Sequence, residues 1–268
     1  MSGFPEAHPA SAAGAHRPVV LLHGGNVANW MWQPQLPAVD DRLALTPHLP
    51  GFGARVDERW PGLAGAADDL AARIRGLAPG HRTVDVVGLS LGGVVALHLA
   101  ARHPDLVASV LTSGAATLRV GGVARATSAL QLALWHRRWF WKAQAVAFGL
   151  PADSHEPYVA HGVSIRRDTA AAMLAEVYAG GIPPALADYP GRMLLVAGER
   201  EPRVMQGSLA ALQRIAPLAT TRIAPGMHHV WNVEDVELFN GMLRSWLRGG
   251  VDERLVDPAR REPSSRRR

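Results

Sequence analysis

The 268-residue sequence contains no cysteine and a single lysine, and charged residues make up only 19% of it. The absence of thiols excludes disulfide bonds and cysteine-based catalysis. No apolar run reaches the roughly 20 residues that a membrane-spanning helix needs. The residues before Arg17 also lack the hydrophobic stretch of a secretory signal. We therefore expect a cytoplasmic protein with no membrane partner.

Basic residues exceed acidic residues only slightly, and the formal net charge is +5. Six arginines and four acidic residues fall within residues 251–268, which leaves about +3 for the remainder, without a basic stripe or a nucleic-acid-binding motif. We expect no nucleic-acid partner. The composition of the two ends predicts a disordered tail over residues 1–17 and a basic, disordered tail over residues 249–268.

Hydrophobic residues make up 48% of the sequence, which is enough for a substantial core. Apolar, strand-like runs alternate with amphipathic segments, as in an α/β protein whose mostly parallel sheet is flanked by helices. The predicted strands cover residues 18–23, 43–49, 83–89, 106–111, 193–198 and 220–224. We expect an α/β core of residues 18–114 and 191–248. Residues 115–190 lack strand patterns and carry tryptophans at helix-compatible spacing, which predicts a helical cap, or lid.

A serine between two glycines follows the third predicted strand, in the segment Gly88-Leu89-Ser90-Leu91-Gly92. A predicted helix over residues 91–103 begins directly after it. In a G-x-S-x-G nucleophile elbow, the glycines permit a tight turn and the serine hydroxyl stands exposed at the end of the strand. The free N–H groups at the helix start can stabilise an oxyanion. The pattern predicts that Ser90 is a nucleophile.

A serine nucleophile needs a base to take its proton, and that base is usually a histidine. His228 and His229 lie between the last predicted strand and the last predicted helix, in a loop that can reach back over the sheet. The Gly-x-x-His spacing from Gly226, followed by Glu234, favours His229 as the base. His228 is then expected to be a neighbour in the substrate site.

A carboxylate is expected after the strand at residues 193–198, where it would orient the histidine. Glu199 and Glu201 both follow that strand. Glu201 is favoured because it lies further along the loop that faces the histidine, and Glu199 is the alternative.

The loop after the first predicted strand contains two adjacent glycines, Gly24 and Gly25. Glycines let the backbone turn its amides toward a substrate without a side chain in the way. We expect an oxyanion hole formed by the backbone N–H groups of Gly25 and of Leu91, the residue after Ser90.

These motifs together resemble the α/β-hydrolase superfamily over about residues 17–247. The family's His-Gly loop is matched by residues 23–25, its elbow by residues 88–92, its Gly-x-x-Asp acid loop by residues 198–201, and its histidine loop by residues 226–229. Serine, acid and histidine follow one another in the family's chain order. The resemblance implies an α/β-hydrolase fold with a helical cap inserted after the sixth core strand. Glu201 is a departure, because the family usually has aspartate there.

The resemblance implies a carboxylesterase-like serine hydrolase with a catalytic triad, no metal and no cofactor, which forms an acyl-enzyme on Ser90. Aromatic residues in the cap and first loop favour a small apolar or aromatic ester as the substrate. The expected substrate-binding residues are Asn26, Trp30, Trp135, Trp139 and His228. The same fold and triad could also belong to a lyase, C–C hydrolase, thioesterase or cyclase that acts on a secondary-metabolite substrate. A hydrolase-like receptor for a small ligand is the non-enzymatic alternative. We expect a monomer or a homodimer.

Overall fold

The computed structural model describes residues 4–11, 16–121 and 129–260. These residues form a seven-stranded sheet in the order β1-β3-β2-β4-β5-β6-β7, parallel throughout except between β1 and β3. The strands are β1 (Ala7–His8), β2 (Val19–Leu22), β3 (Ala44–Leu45), β4 (Val84–Leu89), β5 (Val107–Ser113), β6 (Arg192–Gly198) and β7 (Thr220–Ala224). The predicted α/β fold with a mostly parallel sheet is confirmed.

Helices cover both faces of this sheet. The helices of the α/β core are α1 (Gly62–Leu77), α2 (Leu91–Arg102), α6 (Arg203–Ile215), α7 (Trp231–Glu234) and α8 (Val236–Leu247). Between β5 and β6 lie α3 (Arg138–Ala147), α4 (Ala152–Ser164) and α5 (Arg167–Ala179). Val20 of β2 belongs to a buried cluster with α1 and α2, whereas Val19 belongs to a second cluster with α8. This two-sided burial is why the central strands are apolar without alternation. Within the described ranges, no helix is long and apolar enough to cross a membrane.

Residues 115–190, which we call the helical insert, join β5 to β6 and contain α3, α4 and α5. Trp135 and Trp141 form an apolar centre of the insert, since both are fully buried and their ring centroids lie 4.8 Å apart. The insert follows β5, the fifth described strand in chain order, and not a sixth strand as expected. The reason is that only one short described strand, β1, precedes β2. Residues 122–128 of the predicted cap lie outside the described residues.

The expected disordered tail over residues 1–17 is wrong for residues 4–11. There β1 pairs with β3, and the Glu6 carboxylate accepts a hydrogen bond from the His48 backbone N–H at 2.8 Å. Composition could not predict this order because the pairing partners lie more than 30 residues away along the chain. Residues 1–3 and 12–15 lie outside the described part of the chain.

The expected disordered tail over residues 249–268 is wrong for residues 249–260. Leu255 is buried there, and Val256 forms an antiparallel bridge with Ile223 of β7. Apolar contacts of Leu255 and Val251 and the backbone hydrogen bonds between Val256 and Ile223 together dock this polar segment on the sheet edge. Residues 261–268 lie outside the described residues.

Candidate active site

Ser90 lies in a strained turn between β4 and α2. Its φ of 55° and ψ of −118° fall where residues other than glycine are rare. Neither flanking glycine could carry a side chain. A Cβ at Gly88 would lie 2.3 Å from the Gly92 carbonyl oxygen, and a Cβ at Gly92 would lie 2.2 Å from the Leu22 carbonyl oxygen. This close packing holds Ser90 at the carboxyl end of the sheet, as a nucleophile elbow requires.

Glu201 and His229 form a hydrogen-bonded pair at the same end of the sheet. The Glu201 side chain is fully buried; its Oε2 accepts the Gly198 N–H at 2.8 Å, and its Oε1 accepts a hydrogen bond from His229 Nδ1. Because a carboxylate only accepts, Nδ1 carries the hydrogen and Nε2 is left to accept a proton. Gly114 leaves room for the pair, since a Cβ there would lie 2.6 Å from Glu201 Oε1.

The two competing residues interact with other groups. The Glu199 carboxylate accepts the Gly226 N–H at 2.7 Å and so supports the start of the histidine loop. His228 is half exposed, and its Nδ1 lies 2.8 Å from the Glu234 carboxylate. The geometry therefore favours Glu201 and His229 over Glu199 and His228, while their catalytic roles stay predictions.

The glycine-rich loop after β2 lies against Ser90 and the start of α2. A Cβ at Gly24 would lie 3.6 Å from the Ser90 Cβ, and a Cβ at Gly25 would lie 3.9 Å from the Leu91 Cβ. Leu91 is the first residue of α2, where a backbone N–H has no acceptor within the helix. The two residues expected to bind an oxyanion are thus neighbours beside Ser90.

A buried histidine anchors this loop. His23 Nε2 accepts the Leu49 N–H at 3.1 Å, so its Nδ1 carries the hydrogen and donates to the Gly24 carbonyl at 2.8 Å. Burial lowers the pKa of His23 to about 3, which keeps the ring neutral near neutral pH. Asn26 then takes a φ of 65°, a conformation that asparagine tolerates better than most residues. The loop is therefore fixed on both sides of Gly25.

Ser90 and His229 both line a cavity of about 440 Å³. Gly25 and Leu91 contribute to its wall from the α/β core, and the helical insert supplies much of the remaining wall. The surface of the cavity is predominantly apolar, which suits a small organic molecule. In the described part of the chain, no group of three or more His, Cys, Asp or Glu side chains is placed to hold a metal ion.

The structure brings two of the five expected substrate-binding residues, Asn26 and Trp30, to this cavity. The prediction for Trp135 is wrong because the ring is fully buried inside the insert, where its N–H bonds a backbone carbonyl. The prediction for Trp139 is wrong because this side chain is 60% exposed and does not line the cavity. His228 does not line the cavity either, since its hydrogen bond with Glu234 holds it at the surface.

The sequence interpretation missed the residues that the insert does contribute to the cavity. These are Ala116, Val120, Gln131, Gln144, Phe148, Leu150, Ser154, Tyr158, Met173, Leu174, Val177 and Tyr178. Met173 and Val177 recur at helical spacing on α5, so an apolar stripe was visible in the sequence. A stripe alone does not show whether it faces a core or a cavity.

Comparison with known proteins places this geometry in a family. The model of the alpha/beta hydrolase family matches residues 19–241. The chain is 43% identical over 108 residues to a pimeloyl-[acyl-carrier protein] methyl ester esterase of Neisseria meningitidis serogroup B. That match covers 39% of this chain and 39% of the relative, so well under half of either protein is aligned.

Solved structures share the architecture over nearly the whole chain. An esterase from Exiguobacterium antarcticum has a TM-score of 0.76 at 16% identity and covers 91% of this chain and 94% of that one. The enol-lactonase from Burkholderia xenovorans has a TM-score of 0.74 at 18% identity and covers 90% and 96%. At such identities the likeness concerns the fold. With the family model matching most of the sequence, the chain belongs to the alpha/beta hydrolase family.

Proposed function

We propose that the protein is a serine hydrolase that cleaves a small apolar or aromatic carboxylic ester through an acyl-enzyme on Ser90. One observation carries the proposal: a strained serine and a histidine bonded to a buried carboxylate line the same cavity. The partial likeness to a methyl ester esterase supports an ester as the substrate. In this proposal the helical insert acts as the cap over Ser90.

The first step forms the acyl-enzyme. Ser90 Oγ attacks the ester carbonyl carbon while His229 Nε2 takes the hydroxyl proton, and the carbonyl π electrons move to the oxygen. The Gly25 and Leu91 N–H groups would bind this oxyanion. The intermediate then collapses, the C–O bond to the alcohol breaks, and the imidazolium of His229 gives its proton to the leaving alkoxide.

The second step releases the acid. A water molecule takes the place of the alcohol, gives a proton to His229 Nε2 and attacks the acyl carbon. The second tetrahedral intermediate expels Ser90 Oγ, which recovers the proton from His229. The Glu201 carboxylate keeps its hydrogen bond with His229 Nδ1 and stabilises the imidazolium that forms in each half-reaction.

A covalent serine-hydrolase probe tests this proposal together with hydrolysis of short p-nitrophenyl esters. We expect the wild type to be labelled and active, and Ser90→Ala and His229→Ala to lose labelling and about 10³-fold or more of kcat. Ser164→Ala, an exposed serine at the end of α4, is the control that retains both. A wild type that is neither labelled nor active, yet binds small neutral ligands, would support the receptor alternative instead.

A further inference from the structure

A second set of polar groups lines the cavity, outside the catalytic constellation. Gln144 of α3 and Ser154 and Tyr158 of α4 all belong to the helical insert, and all three line the same cavity as Ser90. Ser154 and Tyr158 are four residues apart, so they lie on one face of α4. Most of the surrounding lining is apolar, and the insert's other polar side chains in the described lining are Gln131 and Tyr178.

The patch has defined hydrogen-bonding capacity. The Tyr158 hydroxyl donates to Gln144 Oε1 at 2.5 Å, and the Tyr158 ring packs edge-on against Trp141 with centroids 5.7 Å apart. Burial raises the pKa of Tyr158, so its hydroxyl stays protonated. The pair therefore leaves two groups available: the Gln144 amide N–H₂, which bonds no other described residue, and a lone pair on the Tyr158 oxygen.

Ser154 and Tyr158 lie on the part of α4 that precedes its contact with the glycine-rich loop after β2. His161, one turn after Tyr158 on α4, donates from Nε2 to the Val27 carbonyl at 2.9 Å and so fixes α4 beside that loop. With a rise of about 1.5 Å per residue, Tyr158 lies roughly 4.5 Å and Ser154 roughly 10 Å back along the helix from His161. Ser90 and the patch line one cavity whose surface is predominantly apolar, which suits an apolar segment between two polar groups of a ligand.

The cavity also lacks full charges. None of the described lining residues is aspartate, glutamate, lysine or arginine. A carboxylate held there would lose its hydration without gaining a cationic partner, and Ser154 Oγ already bonds the carboxylate of Asp153 at 3.2 Å. Hydroxyl, carbonyl and amide groups can instead match the donor and acceptor that Gln144 and Tyr158 present.

We propose that Gln144 and Tyr158, with Ser154, form a subsite for an uncharged hydrogen-bonding group at the end of the substrate remote from the scissile ester. This inference rests on the proposed ester hydrolysis for the chemistry at Ser90, but the subsite itself is a binding site. The substrate is then a neutral ester with an apolar middle and a polar, un-ionised far end.

The test uses p-nitrophenyl esters of matched acyl length that end in methyl, hydroxyl or carboxylate, over short to medium chains. At the best length, we expect kcat/KM to be about tenfold higher for the hydroxyl-ended ester than for the methyl-ended ester, as one hydrogen bond allows. The carboxylate-ended ester should be at least about tenfold poorer than either. In Gln144→Leu and Tyr158→Phe, the hydroxyl-to-methyl ratio should fall to near one.

Two matched controls separate recognition from folding. Gln33→Leu changes an exposed glutamine, and Tyr189→Phe removes a buried hydroxyl that bonds the Val107 carbonyl away from the cavity. Both should keep the wild-type ratio, even if Tyr189→Phe is less stable. A ratio near one in the wild type, a preference for the carboxylate, or an unchanged ratio in both subsite variants overturns the proposal.

A parallel binding measurement keeps the subsite distinguishable from the catalytic proposal. Alkyl methyl ketones that end in methyl or hydroxyl are titrated calorimetrically into wild type, Gln144→Leu and Tyr158→Phe. We expect the hydroxyl-ended ketone to bind the wild type about tenfold more tightly and both variants without preference. If no ester is hydrolysed but this preference holds, the subsite stands and the hydrolase proposal fails. If esters are hydrolysed but neither the esters nor the ketones show a preference for the hydroxyl end, the hydrolase proposal stands and the subsite proposal fails.

Discussion

Glu199 and Glu201 lie two residues apart in the loop after β6, and their carboxylates bond different groups. The Glu201 carboxylate bonds His229 Nδ1, whereas the Glu199 carboxylate bonds the Gly226 N–H at the start of the histidine loop. One carboxylate therefore orients the ring, and the other supports the backbone that carries it. The pairing also shows how a glutamate can stand where the family usually has aspartate, because Glu201 folds back far enough to bond the Gly198 N–H.

Glu201→Gln should lower kcat for a p-nitrophenyl ester by about 10²- to 10⁴-fold, because an amide neither stabilises the imidazolium nor holds the productive tautomer. Glu199→Gln is the matched control, and it should lose less than about tenfold. Steady-state kinetics on purified variants with equal unfolding midpoints decide the matter. A large loss in Glu199→Gln alone would transfer the orienting role to that residue.

Two buried histidines should make stability depend on pH. Burial lowers the pKa of His23 to about 3 and that of His161 to about 4, whereas an unfolded histidine titrates near 6.5. Below pH 6.5 the unfolded chain therefore binds protons that the folded protein does not. The free energy of unfolding should keep its highest value above pH 6.5. It should then fall by about 1 kcal/mol per histidine for each pH unit as the pH is lowered toward 4.

Urea unfolding at pH 7 and pH 5.5 measures this dependence. His161→Gln keeps a donor for the Val27 carbonyl but removes one titrating ring, so its stability should change less with pH than that of the wild type. Replacing the exposed His81 by glutamine should leave the dependence unchanged. Equal slopes in wild type and His161→Gln would contradict the assignment.

At the scale of elements, β2, β4 and α2 approach one another closely around Ser90. Gly92 places the first turn of α2 directly against the last carbonyl groups of β2, with no space for a methyl group. Gly76, near the end of α1, has open space around its Cβ position. The two glycines are both helical, so they separate the effect of close approach from that of helix propensity.

Gly92→Ala should cost about 3 kcal/mol or more of unfolding free energy, because the new Cβ forces β2 and α2 apart. Gly76→Ala should instead stabilise the protein by about 0.5–1 kcal/mol through better helix propensity. Urea unfolding of both variants provides the comparison. A Gly92→Ala variant as stable as the wild type would mean that the junction can relax.

At the scale of the whole molecule, the first described residues close the edge of the sheet. Glu6 pairs with Arg73 of α1 and accepts the His48 N–H, while β1 covers β3. Deleting residues 1–11 should lower the free energy of unfolding by about 2–3 kcal/mol, since several hydrogen bonds are lost. It should also promote self-association through the uncovered edge of β3.

Urea midpoints and size-exclusion chromatography check both effects. Glu6→Gln keeps the strand pairing and should cost only about 1 kcal/mol without association, because its ion pair is partly exposed. A truncated protein with the wild-type midpoint would show that β1 contributes nothing to the fold.

The sequence predicted the parts of the molecule that are encoded locally. Strand, turn and helix around Ser90 follow from a short apolar run and closely spaced glycines, so the sheet and the elbow could be read in advance. The residues that face the cavity could not be predicted in this way. Trp135 and Tyr158 are both buried aromatic residues of the insert, and only the tertiary packing determines that Tyr158 lines the cavity and Trp135 does not. The ordered structure of residues 4–11 was not predicted for the same reason, because β1 forms by pairing with β3, which lies 36 residues further along the chain.

The uncharged cavity wall has a consequence for turnover. Ester hydrolysis at Ser90 would turn a neutral substrate into an acid that ionises near neutral pH, and the described lining offers that anion no lysine or arginine. The carboxylate formed in this proposed reaction would be less stable in the cavity than in water, which would favour its release. If the proposed ester hydrolysis holds, the uncharged lining that accepts the neutral ester would also promote release of the acid product and limit product inhibition.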